Sequence, residues 1–465
     1  MTATTHVPGP AGLPLIGSLL DLKRDSLATY LAARRDHGDV LRITAGPPGL
    51  RAQIYLVASP EGVQQVLATD SANFRKDNVF YGEIRESFGN GLLTAQDQDY
   101  LRQRRLVQPL FTRRRVDQYA DAIGIETESL VERWAAAPDG TVDAAEEMSR
   151  FALRTVARIL FGQDVEQAVE TVHHAFPVLA AFVRDRGVSP FRLPRTWPLP
   201  GHRKALEAER TLYAVCDGII AGRATEGTTE ERDGEDLLGL LARARDEDGN
   251  QLDATELREQ VLVFLLAGHE TTATSLTFAL HLLGKHPEQQ RRAHQEVAEL
   301  LGDGRRPTAA DYPRLPYLTQ VLKETMRLFP AAPSIGRRAV KSVMVGGVEI
   351  PAGADLLVSP YVTHRHPDHW EDPERFDPDR FTPEREAARH RYAWFPFGGG
   401  PRACIGQHFS MLESVLALAV LLREFEIDAV DTDVPLGQGI TLEVHGPVRV
   451  KLTRRQAAEQ QHTAG

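Results

Sequence analysis

The sequence predicts a mostly α-helical protein with a small β lobe, folded as one large domain over residues 1–465. Between about 100 and 330, almost every segment repeats its apolar residues with a helical period, and a further helical pattern covers 406–424. Strand patterns are confined to about 39–59 and 337–359. Because no internal repeat or flexible linker separates these parts, we expect the early and late strands to pair within one folding unit.

Before residue 100, proline and glycine mark the limits of short elements. The prolines of the entry segment exclude a helix there, because each favours an extended conformation in the residue before it. Ser59 followed by Pro60 is typical of a helix start, since serine caps the first turn and proline fits its first position. The predicted elements are the entry segment 8–17, a helix at 27–38, strands at 40–46 and 53–59, a helix from Ser59, and an irregular stretch at 74–99.

From residue 100 onward, helices dominate until Pro330, after which short strands return. A proline-rich break at 187–201 and a charged loop at 225–236 interrupt the helices, and a long proline-rich coil follows at 364–402. A final strand pair is expected near 439–452. The predicted helices are 99–111, 114–137, 145–162, 165–185, 203–225, 235–246, 254–285, 287–301, 316–328 and 406–424, and the predicted strands are 337–345, 348–350 and 355–359.

Composition excludes several classes of protein. Apolar residues make up 42% and charged residues 25%, which is ordinary globular usage and not that of a disordered chain. The net charge of −10 argues against bulk nucleic-acid binding, which needs a strong basic field. The longest apolar run, Val261–Gly268, is much shorter than the ~20 residues of a membrane span, and no secretory signal is recognised. We therefore expect a soluble cytoplasmic protein without a membrane anchor, and a monomer.

The strongest local motif is FPFGGGPRACIGQHF, residues 395–409, which surrounds Cys404. Its glycines allow a sharp turn, and the N–H groups and dipole of the helix that follows are expected to lower the pKa of the thiol. A lone thiolate can act as a nucleophile or a metal ligand. Zinc needs further ligands, and the covalent haem signature CxxCH is absent, whereas one axial thiolate on haem iron fits one cysteine. The other cysteine, Cys216, is interpreted as a small buried apolar residue.

This stretch resembles the haem-ligand signature of the cytochrome P450 monooxygenases, which it matches at Phe397-Gly-Gly-Gly400-Pro-Arg402-Ala-Cys404-Ile-Gly406. The resemblance implies the cytochrome P450 fold, haem b (iron protoporphyrin IX) as cofactor and Cys404 as the metal ligand. It also implies that Phe397 packs over the thiolate and that Arg402 binds a haem propionate, a carboxylate that a planar guanidinium suits. The alternative is a buried structural cysteine, against which the length of the motif weighs.

The middle of the longest predicted helix reads AGHETT, residues 267–272, although the helix is otherwise apolar on all faces. Buried acids and threonines are costly, so these side chains are either satisfied locally in a bent helix or serve a function. The segment resembles the oxygen-activation motif of the same family. The resemblance implies that Ala267 and Gly268 leave room above the iron, and that Glu270 and Thr271 relay protons.

Further charged residues resemble the family's propionate ligands. Tyr100 and Arg104 lie one turn apart in an arginine-rich helix, and both are expected to reach a propionate, with tyrosine in place of the usual tryptophan or histidine. Arg337 aligns with another propionate arginine, and Arg338 is its adjacent competitor. The alternative for the arginine-rich helix is a solvated basic face.

A helical pair, Glu324 and Arg327, is by its spacing alone an ordinary surface ion pair. The sequence PERFDPDRF follows at 373–381, and a similar trio in the family joins the pair to the arginine of PERF, here Arg375. We expect these three residues to form a structural cluster behind the haem, because buried charges must satisfy one another.

The expected substrate pocket is apolar. The histidines of HRHPDHW, residues 364–370, have loose metal-like spacing without supporting partners, so no metal is expected there. Arg51 is a candidate anchor for a substrate carboxylate, with a free exposed arginine as the alternative. The candidate pocket residues are Phe80, Phe88, Leu93, Phe264, Ala267, Ala332, Ile335 and Ile440.

The resemblance implies a monooxygenase that inserts one oxygen atom of dioxygen into a mostly apolar small molecule, by hydroxylation or epoxidation, in secondary or lipid metabolism. Electrons are expected from a ferredoxin and its ferredoxin reductase, with Arg113, Arg114 and Arg115 as the docking patch or, equally, a solvated charge run. One alternative is oxidative ring closure or coupling by a haem-thiolate enzyme. Another is a non-catalytic ligand-binding relative, against which Glu270 and Thr271 argue.

Overall fold

The computed structural model describes residues 7–162, 166–189, 192–225, 236–246 and 248–455, which form a mostly helical fold with small β-sheets. The charged loop expected at 225–236 lies almost entirely outside the described residues. The helices are α1 (Leu19–Arg24), α2 (Ser26–His37), α3 (Pro60–Gln64), α4 (Val79–Phe88), α5 (Asp97–Val107), α6 (Arg113–Asp117), α7 (Ala120–Ala135), α8 (Ala144–Phe161), α9 (Glu166–Gly187), α10 (Pro200–Thr225), α11 (Leu237–Arg243), α12 (Ala254–Lys285), α13 (Pro287–Leu301), α14 (Pro316–Leu328), α15 (Pro360–Thr363), α16 (Pro383–Ala387) and α17 (Gln407–Glu424).

The strands form a five-stranded sheet in the order β1-β2-β8-β5-β3 and three smaller sheets. Strand β2 pairs in parallel with β8, from Ile54 opposite Asp355 to Val57 opposite Val358, which confirms that the early and late strands meet. The strands are β1 (Val40–Ala45), β2 (Ala52–Val57), β3 (Phe74–Arg75), β4 (Thr141–Asp143), β5 (Ile335–Ala339), β6 (Val343–Val345), β7 (Val348–Ile350), β8 (Asp355–Val358), β9 (Phe425–Ala429), β10 (Leu436–Gln438), β11 (Leu442–Val444) and β12 (Arg449–Arg454).

Helix α12 is the central element, and its bounds agree with the predicted helix 254–285. It begins with a reciprocal cap, in which Asp253 accepts from the Glu256 N–H and Glu256 accepts from the Asp253 N–H. Such a cap contributes about 1 kcal/mol. Among the described residues α12 alone is long and apolar enough to cross a membrane, and 72% of its most apolar window is buried inside the protein. The helix is therefore a core helix of this fold.

Two predictions made from local pattern are wrong. The stretch 74–99, expected to be irregular, contains α4, whose first turn is capped by Asn78 and which ends at Gly89 with a positive φ of 85°. The helix expected at 114–137 is two helices, α6 and α7, separated at Gln118 and Tyr119. Both errors arose because short helices near loops carry too few turns to show a clear period.

The expected final strand pair near 439–452 is also different. Strands β10 and β11 form a hairpin, from Leu436 opposite Val444 to Gln438 opposite Leu442. Strand β12 pairs instead with β9 and with β4. Alternating apolar residues indicate a strand but do not specify its partner, which is set by long-range packing.

Candidate active site

The loop before α17 holds Cys404 through backbone geometry that only glycine permits. Gly398 and Gly400 have positive φ angles of 70° and 63°. A Cβ atom at Gly400 would collide with the backbone carbonyl of Leu67, so the chain passes there in direct backbone contact. The Cys404 N–H donates to the Phe397 carbonyl at 2.9 Å, which closes the loop on itself. The motif thus fixes the cysteine at the entrance of α17, as its glycines predict.

The pKa of the Cys404 thiol differs from the sequence-based expectation. Burial in the surrounding protein raises this pKa, and the Gly406 N–H, Arg104 and Lys76 only partly offset the effect of burial. The expected lowering is therefore wrong, because burial outweighs the N–H group of Gly406 at the start of α17 and the neighbouring cations. The Cys404 side chain is accessible to solvent. A metal ion would remove the thiol proton on coordination.

Helix α5 binds the cysteine loop directly. The Tyr100 hydroxyl donates to the Pro401 carbonyl at 2.7 Å, and Arg104 donates to the Ala403 carbonyl at 2.9 Å. The Arg402 guanidinium lies 3.6 Å from the centre of the Tyr100 ring, a stacked cation–π contact. The arginine-rich helix is thus not simply a solvated basic face, and Tyr100 supports the loop and Arg402.

Three cations converge near this loop without a carboxylate partner among the described residues. Burial lowers the pKa of Arg337, lowers that of Arg402 to about 10, and lowers that of Lys76 far below its usual range; the cations also repel one another. Their hydrogen bonds go to neutral oxygens, such as Lys76 to the Leu93 carbonyl at 2.9 Å, and Arg402 keeps a buried Nη1 without a partner. Lys76 was not predicted, since nothing in its local sequence distinguishes it from a surface lysine.

The two neighbouring arginines of β5 have different roles. Arg338 is partly exposed and forms an ion pair with Asp355 at 2.8 Å. Arg337 is buried and points into the fold, where the Gly336 carbonyl accepts from it at 2.8 Å. This alternation follows from the two-residue period of a strand, and it leaves Arg337 as the residue available to an anion.

On α12, the side chains at 267–272 divide into two groups. Thr271 donates to the Ala267 carbonyl one turn earlier at 2.7 Å, which is the local satisfaction expected of a polar residue in a buried helix. Ala267 itself is accessible to solvent, although the α12 residues immediately before it are buried. Glu270 is not satisfied within the helix: its Oε2 accepts from the Thr441 hydroxyl at 2.7 Å. Burial raises the pKa of Glu270 to about 7, and the charge of Glu443 adds to that effect.

The candidate pocket residues differ in accessibility. Phe80, Leu93 and Ile440 are partly buried members of the apolar cluster that also contains Phe264 and Ile405, the residue after Cys404. Ala332 and Ile335 are likewise partly accessible. Phe88 is fully buried, and its ring packs against Phe176 with 5.6 Å between centres. Since a fully buried side chain borders no accessible space, Phe88 belongs to the core of this structure.

The structural trio behind the cysteine loop contains a different third arginine. Arg327 and Glu324 are both fully buried and joined by two hydrogen bonds of 2.7 and 2.8 Å. The third guanidinium is that of Arg380, whose Nε lies 3.3 Å from Glu324 Oε1. Arg375 offers only its backbone carbonyl to Arg327, while its exposed side chain pairs with Asp377. The spacing P-x-R-F occurs at 373–376 and again at 378–381, and the sequence-based assignment chose the first copy.

The remaining candidates have structural partners. His364 is buried and accepts from the Phe395 N–H at 2.9 Å, and His366 is buried against Asp39. Within the described residues, no cluster of histidine, cysteine, aspartate and glutamate could hold a metal ion. Arg51 donates to the Pro14 carbonyl at 2.7 Å on the surface. Cys216 is fully buried, as expected, and burial raises its pKa to about 12.

The residues present fit a haem group. Haem presents a flat apolar ring and two propionate carboxylates, and its iron accepts one axial thiolate. The three buried cations Lys76, Arg337 and Arg402 lack carboxylate partners among the described residues, and the unpartnered Nη1 of Arg402 is a donor suited to a propionate. Cys404 is the thiol beside them.

Comparisons with known proteins agree with this site. The family profile for Cytochrome P450 matches residues 7–443. Cyclooctatin synthase from Streptomyces melanosporofaciens is 37% identical over 417 residues, which cover 90% of this chain and 88% of the relative. Pentalenene oxygenase from Streptomyces avermitilis is 35% identical over 456 residues, which cover 97% and 98%. The crystal structure of the cytochrome P450DA heme domain superposes with a TM-score of 0.86 at 27% identity and covers 97% of this chain and 98% of its own.

Proposed function

The chain belongs to the cytochrome P450 family of haem-dependent oxidoreductases that use dioxygen, and we propose that it hydroxylates or epoxidises an apolar terpenoid of secondary metabolism. One structural observation carries the substrate class. Phe80, Leu93 and Ile440 are apolar, only partly buried, and packed against the apolar core of the helical part, as is Ile405, the residue after the predicted iron ligand. Accessible apolar side chains of this kind favour a hydrocarbon skeleton, because they offer no partner for a substrate charge.

The names of the relatives support the same class. One relative is named for the oxygenation of pentalenene, and another from Streptomyces melanosporofaciens is named cyclooctat-9-en-7-ol 5-monooxygenase, 34% identical over 420 residues. Arg51 supports this class as well, since it binds a backbone carbonyl at the surface and is therefore a poor anchor for a fatty-acid carboxylate.

Haem, when bound, supplies the activation of dioxygen. Cys404 would supply the thiolate ligand of its iron, and Arg337, Arg402 and Lys76 would bind its propionates. Tyr100 and Arg104 hold the cysteine loop through hydrogen bonds to the carbonyls of Pro401 and Ala403, and their contact with a propionate stays a prediction. These contacts keep the thiolate and the Arg402 guanidinium in fixed relative positions.

Proton delivery falls to two side chains of α12. A pKa of about 7 allows Glu270 to hold and release a proton near neutral pH, which is the property that a proton relay needs. Thr271 lies one turn beyond the accessible Ala267, and its hydroxyl can exchange its bond to the Ala267 carbonyl for a water molecule at the oxygen-binding side. Glu270 would then give its proton to that water molecule.

The reaction type is tested by isotope incorporation. We expect the haem-loaded protein, given a polycyclic terpene hydrocarbon, a ferredoxin with its reductase and ¹⁸O₂, to yield a product with one ¹⁸O atom. Product formed without ¹⁸O would indicate ring closure or coupling instead. Substrate binding that shifts the Soret band without any reductant consumption would indicate a non-catalytic binding protein. Equal spectral binding of carboxylic acids and their methyl esters would exclude a carboxylate anchor.

Proton relay by Thr271 is tested by coupling. In Thr271→Ala we expect the haem spectrum and substrate binding to stay close to the parent, while the ratio of product to reductant falls by roughly a hundredfold, the lower end of what positioned proton transfer contributes. Hydrogen peroxide should account for the reductant lost. The ratio and the peroxide are measured in the same reaction. If Thr271→Ala keeps the parental ratio of product to reductant, then a fixed water or a substrate hydroxyl relays the proton instead of Thr271.

Electrons would enter from the cysteine side. Arg113 and Arg114 on α6 are exposed and have no ion-pair partner among the described residues, whereas Arg115 donates to Gln118 at 3.1 Å. Helix α6 adjoins the start of α17, and His408 binds Asp117 across this contact at 2.9 Å. These exposed charges suit an acidic ferredoxin, so we expect reduction rates that fall with rising salt and that lose much of this dependence in the double alanine variant of Arg113 and Arg114.

A further inference from the structure

The carboxyl group of Glu270 is bound from outside its own helix. The hydroxyls around it on α12 donate to backbone carbonyls: Thr271 to Ala267, and Thr274 to the carbonyl of Glu270 itself at 2.8 Å. Among the described residues, Thr441 is the one whose hydroxyl donates to the Glu270 carboxyl, at 2.7 Å. The direction in which this carboxyl points is therefore set by a residue 171 positions further along the chain.

Thr441 lies at the turn of the β10–β11 hairpin, and that hairpin is held from several sides. The Leu442 N–H donates to the Ala331 carbonyl at 2.9 Å, next to the candidate pocket residue Ala332. Glu443 binds Arg184 of α9 at 2.6 Å. The hairpin is also joined to α2, where Ser26 donates to Gln438 at 3.1 Å. These contacts connect the hairpin that carries Thr441 to the pocket-side loop, to α9 and to α2.

The same turn carries Ile440, a candidate pocket residue that is partly buried against the apolar core. The turn therefore contacts the apolar core through Ile440 and the Glu270 carboxyl through Thr441. A substrate that presses on Ile440 would move the Thr441 hydroxyl as well, because the two residues are neighbours in the short turn 439–441 and are joined by one planar peptide bond.

We propose that Thr441 is the positioning residue for Glu270, and that the β10–β11 hairpin thereby couples occupation of the substrate pocket to proton delivery. This inference rests on the proposed relay function of Glu270 and adds the element that controls it. With the hydroxyl in place, the Glu270 carboxyl is bound to the hairpin. Displacement of the hairpin breaks this hydrogen bond and frees the carboxyl to deliver its proton.

The charges that act on Glu270 make the inference testable. Glu443 is the charged residue that acts on it from the hairpin, and Glu443 is itself paired with Arg184. The neighbouring His269 packs edge-on against Phe176 and binds the Leu265 carbonyl on another face of α12. The Thr441 hydroxyl stabilises the ionised carboxylate and the Glu443 charge destabilises it, so loss of either one should shift the Glu270 titration in opposite directions.

The test is an infrared titration of the carboxyl band in the substrate-free, haem-loaded ferric protein, with Glu270→Gln to assign the band. Thr441→Val should raise the midpoint by about one pH unit, the effect of one hydrogen bond to a charged group. Glu443→Gln should lower the midpoint, and Thr441→Ser should retain the parental value. Thr274→Val is the matched control, because it removes a hydroxyl bond to the backbone of Glu270 and not to its carboxyl; it should leave the midpoint unchanged.

An unchanged midpoint in Thr441→Val, or the same shift in Thr274→Val, would show that Thr441 does not position the Glu270 carboxyl. Reductant consumption is then measured with and without substrate. Thr441→Val should raise the consumption without substrate several-fold, and equal consumption in the parent and the variant would show that the hairpin does not link proton delivery to pocket occupation. A parental product ratio in Glu270→Gln would overturn the relay itself and with it the proposed coupling. That failure is distinguishable, because the titration would still show whether Thr441 holds the carboxyl.

Discussion

The two sides of the candidate active site are built in different ways. On the cysteine side, one continuous stretch fixes the geometry: Gly400 brings the backbone against Leu67, and Cys404 is bonded to Phe397 within the same loop. On the opposite side, Glu270 depends on Thr441 from a distant hairpin. A local motif produces a rigid ligand position, whereas a carboxylate held between separate elements can change its position when those elements move.

The largest effect should come from the cysteine side. Cys404→Ser removes the sulfur that the iron needs, so we expect the reduced, carbon-monoxide-bound protein to lose the long-wavelength Soret band that names the family and oxygenation to fall to background. Cys216→Ala is the control, because Cys216 is a fully buried residue of α10 outside the Cys404 loop, and its removal should leave the spectrum unchanged. A normal Soret band in Cys404→Ser would show that Cys404 is not the iron ligand.

The second test compares Gly400 of the cysteine loop with Gly268 of α12. Gly400→Ala places a methyl group against the Leu67 carbonyl at a positive φ, so we expect a loss of about 3 kcal/mol or more and poor haem retention. Gly268→Ala on α12 meets the Val156 side chain at 2.8 Å, and alanine favours the helix by up to ~1 kcal/mol, so its net effect should stay within about 1 kcal/mol. Urea midpoints and haem content measure both. Equal losses of stability in the two variants would show that α12 is as rigid as the cysteine loop.

The same contrast explains what could be predicted from the sequence. The bounds of α12, α13 and α14 and the role of the Cys404 loop follow from periodicity and a contiguous motif, which depend on neighbours in sequence. The Thr441–Glu270 contact and the buried Lys76 could not be predicted, because each depends on packing between distant segments. The raised pKa of the Cys404 thiol was missed for a related reason, since its first cause is burial by the whole fold.

The smallest difference concerns the structural arginine behind the cysteine loop. Arg380 is 7% exposed in its side chain and lies against the buried Glu324, so Arg380→Ala should destabilise the protein by about 2 kcal/mol. The loss stays below that of a broken buried pair because Arg327 still binds Glu324. Arg375 is 63% exposed and pairs with Asp377 at the surface, so Arg375→Ala should cost under ~0.5 kcal/mol.

Urea unfolding midpoints of the two alanine variants measure this difference. Haem content provides an independent readout, since Arg327 donates to the carbonyl of His364, and His364 accepts from the Phe395 N–H at the start of the cysteine motif. A larger loss in Arg375→Ala than in Arg380→Ala would restore the first P-x-R-F copy as the source of the third arginine. We expect the larger loss of stability in Arg380→Ala, with haem content reduced only in that variant. This result would show that residues 378–381 support the cysteine loop and that residues 373–376 are a surface segment, because only a buried guanidinium can satisfy the buried carboxylate of Glu324.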